Sequence, residues 1–443
     1  LSLRVNMSVV DVDEFVAGST VSLPALEKQV LTFWQEQHAF QKSIKKGATP
    51  YVFYDGPPFA TGLPHHGHLL ASTIKDIVAR YFTMQGFCVE RRFGWDCHGL
   101  PIEYEIDKQQ KMPTYKIVEQ IGVAGYNNLC RDIVQLYTSQ WQETVTKLGR
   151  WVDFDNDYKT MDPDFMESVW WVFKSLWEKD LVYQGTKVVP YSTALGTGLS
   201  NFEAGSNYQD VQDPSLFILL PLLDDSDASL MVWTTTPWTL PANLGVCVGS
   251  DIDYCLLNIE GQDKLVWLAK ARVEQIVTDY QVVAECKGRD LVGKQYQPLF
   301  DYFSEQRANG AFRVYADKFV STEDGTGVVH MAPAFGEDDH RVMLKSGVDI
   351  ICPVDGNGFF TQDVVDFKGE HVKQADKLII QHLKQKNLVF RHETIVHSYP
   401  HCPRSDAPLI YKAIPSWYIE VTALKDRLLK ANEQINWVPG HIK

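Results

Sequence analysis

The chain has 443 residues, more than a single hydrophobic core usually supports, so its length predicts two or three domains. Hydrophobic residues make up 45% and charged residues 22%, and no apolar run could span a membrane, which excludes an integral membrane protein and predicts a soluble one. The net charge of −14 argues against non-specific nucleic-acid binding, although a local basic stripe can still hold a nucleic acid.

The cysteines and the amino-terminal segment bear on location. The eight cysteines are scattered and form no Cys-x-x-Cys pair, which is typical of reduced thiols in a cytosolic protein. The amino terminus has no apolar signal core, and Asp11, Asp13 and Glu14 argue against a transit peptide. Together these features predict a cytoplasmic protein.

The first third predicts a parallel crossover unit. A helix is expected over Pro24 to Gln37, a strand over Tyr51 to Tyr54, a helix from His68 to near Gly86, and a second strand over Cys88 to Phe93. The turn sequence Asp-Gly-Pro-Pro ends the first strand. Ligands bind such sheets beyond the carboxyl ends of their strands.

His65 and His68 stand three residues apart at the start of the second helix and should face the same way. A helix N terminus suits a phosphate, and two imidazoles would add donors where charge develops. Gly67 would let a nucleotide approach the backbone. The open alternatives are capping or surface histidines, or a metal pair.

The stretch from Ile117 to Tyr183 predicts helices with large apolar side chains. At helical spacing these indicate a core, although base stacking is an alternative. They are Trp141, Leu148, Trp151, Trp170, Trp171, Phe173 and Trp177.

From about Val188 the sequence pattern changes to short apolar or alternating runs separated by turn residues. This pattern predicts a β-barrel-like domain between helical parts. The expected strands are Phe217 to Leu223, Leu230 to Thr236, Leu244 to Val248, Tyr254 to Ile259 and Lys264 to Leu268.

Two polar segments within this domain could form a pocket. Thr234-Thr235-Thr236 puts hydroxyls at a strand end, although threonine is also an ordinary strand residue. In the segment from Gly325 to His340, glycines permit close backbone approach and acids form a cluster. Asp338, Asp339 and His340 suggest a metal site as an alternative, but adjacent side chains point apart and cannot easily bind one ion.

The longest motifs resemble one family. PPFATGLPHHGHLL followed by GWDCHGLPIE resembles the histidine signature region of class I aminoacyl-tRNA synthetases, in its isoleucyl branch, and WTTTPWTLPAN is similar to that branch's threonine-rich editing peptide. The resemblance covers nearly the whole chain past about Ser22. It implies an α/β fold in which an incomplete Rossmann-type parallel-sheet catalytic domain carries an inserted β-barrel-rich editing domain. The implied parts are 1–187, the insertion 188–396 and a return segment 397–443.

The resemblance also implies site residues. ATP phosphates would contact His65, Gly67 and His68, while Asp96 would bind the amino group of the amino acid and Pro57 would line its pocket. Taken alone, Asp96 could be a turn residue. The implied editing residues are Thr234, Thr235, Thr236, Asn243, His330 and Asp339.

The implied function is that of an isoleucine–tRNA ligase, which uses ATP with Mg²⁺, isoleucine and tRNA(Ile). The implied editing activity is hydrolysis of valyl-tRNA(Ile). A multi-synthetase assembly is a further possible partner, and no membrane partner is expected. Alternatives are a fragment that only deacylates, a module that binds an amino acid to regulate a partner, and a plain nucleotidyltransferase. The family's second signature, Lys-Met-Ser-Lys-Ser, is absent, which suggests an N-terminal portion of a longer enzyme.

The family pattern departs at a zinc site. Bacterial relatives carry two Cys-x-x-Cys pairs, but the matching places here are Ser192, Leu195, Cys402 and Ser405, so we expect no structural zinc. Hydrogen bonds or packing should replace it. Gly198 and Pro403 are further departures.

Overall fold

A computed structural model describes residues 22–44, 47–59 and 61–443. It divides into two compact units, Leu1–Asp180 (unit 1) and Leu181–Lys443 (unit 2). The acidic residues used against a transit peptide lie outside the described residues. All eight cysteines are free, and no helix in the described part of the chain is long and apolar enough to cross a membrane.

Unit 1 is mainly helical. Its helices are α1 (Leu23–Glu36), α2 (Ala39–Ser43), α3 (His66–Met84), α4 (Leu100–Gln110), α5 (Thr114–Lys147) and α6 (Pro163–Trp177). Its strands are β1 (Arg92–Trp95) and β2 (Asp153–Lys159), which pair in parallel. The predicted helices around α1 and α3 are confirmed.

The predicted crossover unit is only partly present. No strand forms over Tyr51 to Tyr54, although the adjoining Pro50 makes an isolated parallel bridge with Cys88. The second strand begins at Arg92, four residues later than predicted, and its ladder partner is β2, in a stretch predicted to be all helical. The prediction was wrong here because a β-rich run shows only that an extended conformation is favourable, whereas a strand also needs a neighbouring strand that pairs with it along its length.

The core of unit 1 forms where β1 and β2 pack against α4 and α5. Phe93, Trp95, Ile102 and Trp141 are buried there. The prediction that the tryptophans form a core is confirmed for Trp141. It is wrong for Trp170, Trp171 and Trp177 on α6, which are 69%, 67% and 52% exposed. Helix α3 behaves similarly: its apolar side is exposed and the small residues Ser72, Ala79 and Thr83 are buried.

Unit 2 is mainly β. Its strands are β3 (Val182–Ser192), β4 (Thr197–Gly198), β5 (Tyr208–Pro221), β6 (Ala228–Thr234), β7 (Gly245–Val248), β8 (Asp253–Ile259), β9 (Leu265–Ala269), β10 (Tyr280–Lys287), β11 (Val314–Ala316), β12 (Val328–Met331), β13 (Val389–Pro400) and β14 (Ile410–Ile419). Its helices are α7 (Asn201–Ala204), α8 (Val273–Ile276), α9 (Gly288–Leu291), α10 (Glu337–Lys345), α11 (Val372–Gln385) and α12 (Lys425–Asn432). Short 3-10 turns include Pro237–Ala242.

Strand β6 is the centre of a nine-stranded mixed sheet. One edge pairs antiparallel with β5, and the other pairs in parallel with β9 and, at Trp233, with β12. The pairing continues to β10 at one end and to β11 at the other, and β5 also pairs with β13. Isolated antiparallel bridges join Leu222, just after β5, to Tyr296, and Gln295 to Arg313, just before β11. Through residues 295–296 the sheet therefore curls back on itself, as the barrel-like sequence pattern predicts.

The position of β6 explains its sequence. Paired on both edges and covered on both faces, it is buried along nearly its whole length, which is why Leu230, Met231 and Val232 run without alternation. A second, three-stranded sheet joins β14, β3 and β4, so the predicted return segment contributes the end of β13 and all of β14.

Candidate functional site

The two signature histidines of unit 1 lie together at the start of α3. His65 occupies the cap position, and its backbone N–H donates to Nδ1 of His68 at 3.3 Å. The rings stack with centroids 3.7 Å apart, and the His68 ring lies 4.8 Å from Trp141. Both imidazoles therefore lie on one side of the first turn, as the three-residue spacing predicts.

The electrostatics of this turn suit an anion. Burial, followed by the nearby His65 and Lys75, lowers the pKa of His68, so this ring is a neutral donor and acceptor at pH 7. The N terminus of the 19-residue helix carries partial positive charge. A Cβ at Gly67 would lie 3.0 Å from Cε1 of His65, so a side chain there would require this ring to move by a few tenths of an ångström.

Groups that the sequence analysis missed hold the loop before α3. The carboxylate of Asp55 pairs with Lys75 and with the buried Arg150, and its carbonyl accepts from the hydroxyl of Tyr158 at 2.8 Å. The indole N–H of Trp141 donates to the carbonyl of Gly62 at 2.7 Å. The one sequence signal for this anchor was a carboxylate placed between an apolar run and the Gly-Pro-Pro turn.

The predicted amino-acid residues of unit 1 lie on adjoining segments. The backbone N–H of Asp96 donates to the carbonyl of Pro58 at 2.9 Å, next to Pro57, and Phe59 forms a parallel bridge with Asp96. In the part of the chain that is described, no hydrogen bond or ion pair joins Asp96 to either signature histidine. A nearby cavity of about 800 Å³ is lined by other residues, among them Tyr54, Arg92 and Phe165.

Unit 2 contains a cavity of about 370 Å³ where β6, β12 and the start of α10 meet. It brings together groups from two segments of the chain, residues 233–239 and 319–339. Its polar lining includes Thr234, Thr235, Thr236, Thr239, Ser321, Asp324, Thr326, His330 and Asp339.

The threonines form one hydroxyl-rich wall of this cavity. The Oγ1 atoms of Thr234 and Thr236 lie 3.2 Å apart, and the backbone N–H of Thr236 donates to Oγ1 of Thr234 at 3.1 Å. The hydroxyl of Thr239 donates to the carbonyl of Thr236 at 2.8 Å. These bonds hold the turn after β6 in one conformation, with Thr235 on the same wall.

His330 is buried beside the threonine wall and is neutral. Burial lowers its pKa to about 4. Its Nε2 lies 3.0 Å from Oγ1 of Thr239, and its Nδ1 lies 2.7 Å from the amide nitrogen of Asn243. Asn243, which was expected to line the pocket, therefore lies behind His330 and contacts the cavity through it.

Asp339 supplies the carboxylate of the cavity. Its Oδ2 accepts the backbone N–H of Ala332 at 2.9 Å, and burial, aided by neighbouring Asp338, raises its pKa to about 6. A side chain at Gly336 would overlap this carboxylate, so the glycine of the Gly-Glu-Asp-Asp run is a steric requirement.

The residues flanking Asp339 point elsewhere. Asp338 pairs with Arg341 at 2.8 Å, and Nδ1 of His340 lies 3.0 Å from the carbonyl of Pro333. Across residues 22–44, 47–59 and 61–443, no group of three or more His, Cys, Asp or Glu side chains could hold a metal ion.

A buried carboxylate that the sequence analysis missed supports the threonine turn from below. Oδ1 of Asp376, on α11, accepts the backbone N–H of Trp238 at 2.8 Å, and burial raises the pKa of Asp376 to about 7. The Trp238 ring packs edge-on against Phe335, a lining residue, with centroids 4.8 Å apart. No local sequence pattern indicates this contact, because the two segments are more than a hundred residues apart.

The sequence profile of the tRNA synthetases class I (I, L, M and V) matches residues 29–443. The chain belongs to this family. It therefore has the mixed α/β class I synthetase fold, in agreement with the fold class and resemblance drawn from the motifs.

Curated relatives of this class I synthetase are named isoleucine–tRNA ligases. The cytoplasmic mouse (Mus musculus) protein is 52% identical over 434 residues, that is 96% of this chain, and the Chlamydia pneumoniae protein is 51% identical over 94% of it. The cytoplasmic protein of Arabidopsis thaliana is 48% identical over 97%. The chain spans 34% of the mouse protein's length and 40% of each of the other two.

A solved ternary complex of LeuRS, tRNA and LeuAMS from Agrobacterium radiobacter K84 covers 86% of this chain at 15% identity, with a TM-score of 0.33, a similarity too weak to support an argument.

The region in which the resemblance suggested a lost zinc site gathers hydrogen-bonding groups around Cys402. Burial raises the pKa of Cys402, but hydrogen bonds from Ser405, from the backbone of Arg404 and from Ser192 outweigh it, and the net pKa is lowered. The backbone N–H of Leu195 donates to Oγ of Ser192 at 3.3 Å. Ser192, Arg404 and Ser405 therefore adjoin the Cys402 sulfur, whereas Leu195 contacts Ser192.

Proposed function

We propose that the chain is part of an isoleucine–tRNA ligase in which unit 2 removes valine from wrongly charged tRNA(Ile). Membership of the class I tRNA synthetase family and the names of relatives at about 50% identity support the ligase activity. The observation that carries the editing proposal is the cavity of unit 2, because it gathers Thr234, Thr235, Thr236, His330 and Asp339 from separate segments.

The chemistry of the cavity fits an aminoacyl ester. A carboxylate is the natural partner of the ester's α-ammonium group, and Asp339 is fixed by the Ala332 N–H so that it can take this role. Water attacks the ester carbonyl carbon, the C–O bond to the ribose breaks, and the ribose oxygen leaves with a proton. The threonine wall supplies hydroxyls that position the water and the terminal ribose, without a covalent protein intermediate.

A second site is needed because one methylene gives limited discrimination. The usual figure for isoleucine over valine, about 150-fold, is that of isoleucyl-tRNA synthetases themselves. A cavity that accepts valyl esters and rejects isoleucyl esters removes most of the remaining error.

We further propose that unit 1 activates isoleucine. The helix N terminus with His65, Gly67 and His68 would hold ATP phosphates, and Pro57 and Asp96 would hold the amino acid. Mg²⁺ would accompany ATP and be held mainly by its phosphates, since the described residues form no acidic cage. Activation yields isoleucyl-adenylate and pyrophosphate, and the acyl group then passes to tRNA(Ile).

The remaining assignments follow from the same family. We propose that residues 188–396 are the editing insertion between parts 1–187 and 397–443 of the catalytic domain, that no structural zinc binds near Cys402, and that the protein works in the cytoplasm, within a multi-synthetase assembly.

The test is hydrolysis of valyl-tRNA(Ile) and isoleucyl-tRNA(Ile) by the 443-residue chain. We expect selective release of valine, slowed at least about thirtyfold in Asp339→Ala, because truncating one partner of a desolvated charge pair costs about 2 kcal/mol or more. Asp338→Ala is the matched control, since that adjacent carboxylate is exposed and paired with Arg341.

Two results would reject the proposal. One is equal loss in both variants, which would mean that the acidic turn matters only structurally. The other is a folded chain without valyl hydrolysis. Isoleucine-dependent exchange of pyrophosphate into ATP tests unit 1 separately, with His68→Ala expected to reduce it.

A further inference from the structure

Tyr296 is a fully buried residue with no role so far. Its hydroxyl donates to Oδ1 of Asn243 at 2.6 Å, and its ring packs edge-on against Phe312. Burial raises the pKa of Tyr296 well above its usual value, so the hydroxyl keeps its proton and acts as the donor. It lies two contacts away from the cavity, behind Asn243 and His330.

The amide of Asn243 is fixed at both ends. Oδ1 accepts from Tyr296, while Nδ2 donates to the carbonyl of Gly245 at 2.9 Å and lies 2.7 Å from Nδ1 of His330. An amide nitrogen can only donate, so Nδ1 of His330 must carry the lone pair. In a neutral imidazole the proton is then on Nε2, and a pKa of about 4 keeps this ring neutral.

The remaining bonds run in the same direction. Nε2–H of His330 donates to Oγ1 of Thr239 at 3.0 Å, and the Thr239 hydroxyl donates to the carbonyl of Thr236 at 2.8 Å. Each donor from Tyr296 onward thus points toward the cavity. Rotating the Asn243 side-chain amide by a half-turn would place its oxygen at Nδ1 of His330, and the ring proton would then move from Nε2 to Nδ1.

We infer that Tyr296 is a positioning residue that holds His330 as the neutral Nε2–H tautomer, so that His330 serves ester hydrolysis as a hydrogen-bond donor and not as a general base. This rests on the proposed editing function. The Nε2–H at the cavity wall can be shared with the ester oxygen that gains negative charge. The proton of the attacking water ends on the departing ribose oxygen, without passing through His330.

The first experiment reads the tautomer directly in the full chain labelled with ¹⁵N-histidine, with His330 assigned by its loss in His330→Gln. We expect unprotonated Nδ1 and protonated Nε2 in the wild type at pH 7. Tyr296→Phe removes only the hydroxyl and should give a mixed or reversed tautomer. Asn243→Asp places a carboxylate at Nδ1 and should reverse it fully.

The matched control is Tyr191→Phe, which removes another buried tyrosine hydroxyl of unit 2, one that donates to the carbonyl of Gly356 at 2.7 Å. It should leave the His330 spectrum unchanged. A wild-type ring with a proton on Nδ1, or a Tyr296→Phe spectrum identical to the wild type, would overturn the inference. Should Tyr296→Phe not fold, a wild-type ring with its proton on Nδ1 would still overturn the inference.

The second experiment measures single-turnover hydrolysis of valyl-tRNA(Ile). Tyr296→Phe should slow the rate at saturation at least about tenfold with little change in half-saturation, less than the roughly hundredfold loss when a donor itself is removed. Tyr191→Phe should match the wild type. If Tyr296→Phe changed the His330 tautomer but left the rate unchanged, the proposed role of the Nε2–H in ester hydrolysis would be refuted. If the wild type hydrolyses nothing, the proposed function fails, while the spectra still decide the tautomer.

Discussion

Burial moves the pKa values of two residues in the unit 2 cavity in opposite directions. It raises the pKa of Asp339 to about 6 and lowers that of His330 to about 4, in each case favouring the uncharged form. The cavity therefore resists isolated charge, and an α-ammonium group entering it would stabilise the Asp339 carboxylate. Binding of an aminoacyl ester and ionisation of Asp339 are thus coupled.

This coupling predicts a pH dependence for valyl-tRNA(Ile) hydrolysis. Asp339 must be ionised to bind the ammonium, and its raised pKa means that the carboxylate is lost as pH falls through about 6. We expect kcat/KM to fall on this acid side, approaching tenfold per pH unit, while His330 stays neutral. The measurement is the rate between pH 5 and 7 in wild type, Asp339→Asn and Asp338→Asn. If kcat/KM of Asp339→Asn still fell as the pH was lowered, this pH dependence would belong to another group.

At the scale of elements, the pairing of β1 with β2 explains a glycine of the signature region. Gly94 lies opposite Tyr158 in the parallel ladder, and a Cβ on Gly94 would overlap the Tyr158 ring. The Tyr158 hydroxyl in turn donates to the carbonyl of Asp55, before the Gly-Pro-Pro turn. The glycine thus lets one strand hold the loop that leads to α3.

We therefore expect Gly94→Ala to lower the free energy of unfolding of unit 1 by about 1–3 kcal/mol, the usual cost of overpacking. Gly62→Ala is the matched control, because a Cβ there meets no atom within 4 Å. Urea denaturation followed by circular dichroism measures both. Equal stability of the two variants would show that the Tyr158 ring can move aside at no cost.

At the scale of the molecule, each unit has its own core and its own proposed chemistry. Unit 1 buries Ile102 and Trp141, unit 2 buries Leu230 and Tyr296, and the residues that line the threonine-walled cavity all belong to unit 2. A residue's burial therefore stabilises the unit that contains it.

Core truncations should act on one unit at a time. Ile102→Ala and Leu230→Ala each remove a fully buried side chain and should cost about 2–5 kcal/mol. Hydrogen exchange read peptide by peptide should speed up before residue 181 in the first variant and after it in the second. Faster exchange in both units from one substitution would contradict separate cores.

Local patterns predicted much of the secondary structure. The predicted strand Leu230 to Thr236 became β6 with a shift of two residues, and Tyr254 to Ile259 became β8 with a shift of one. The predictions of a strand over Tyr51 to Tyr54 and of buried tryptophans on α6 were wrong. An apolar pattern shows which face of an element can be buried, but not which other element covers that face.

The sequence by itself determined the family and the local geometry of its motifs, since residues within one turn, such as His65 and His68, are held by the helix that contains them. The tertiary structure alone decided that Asn243 lies behind His330, that Tyr296 orients that amide, and that Asp376 caps the threonine turn. These contacts join segments that are distant in sequence, and their geometry depends on how a branched sheet and its helices pack, which no local spacing encodes.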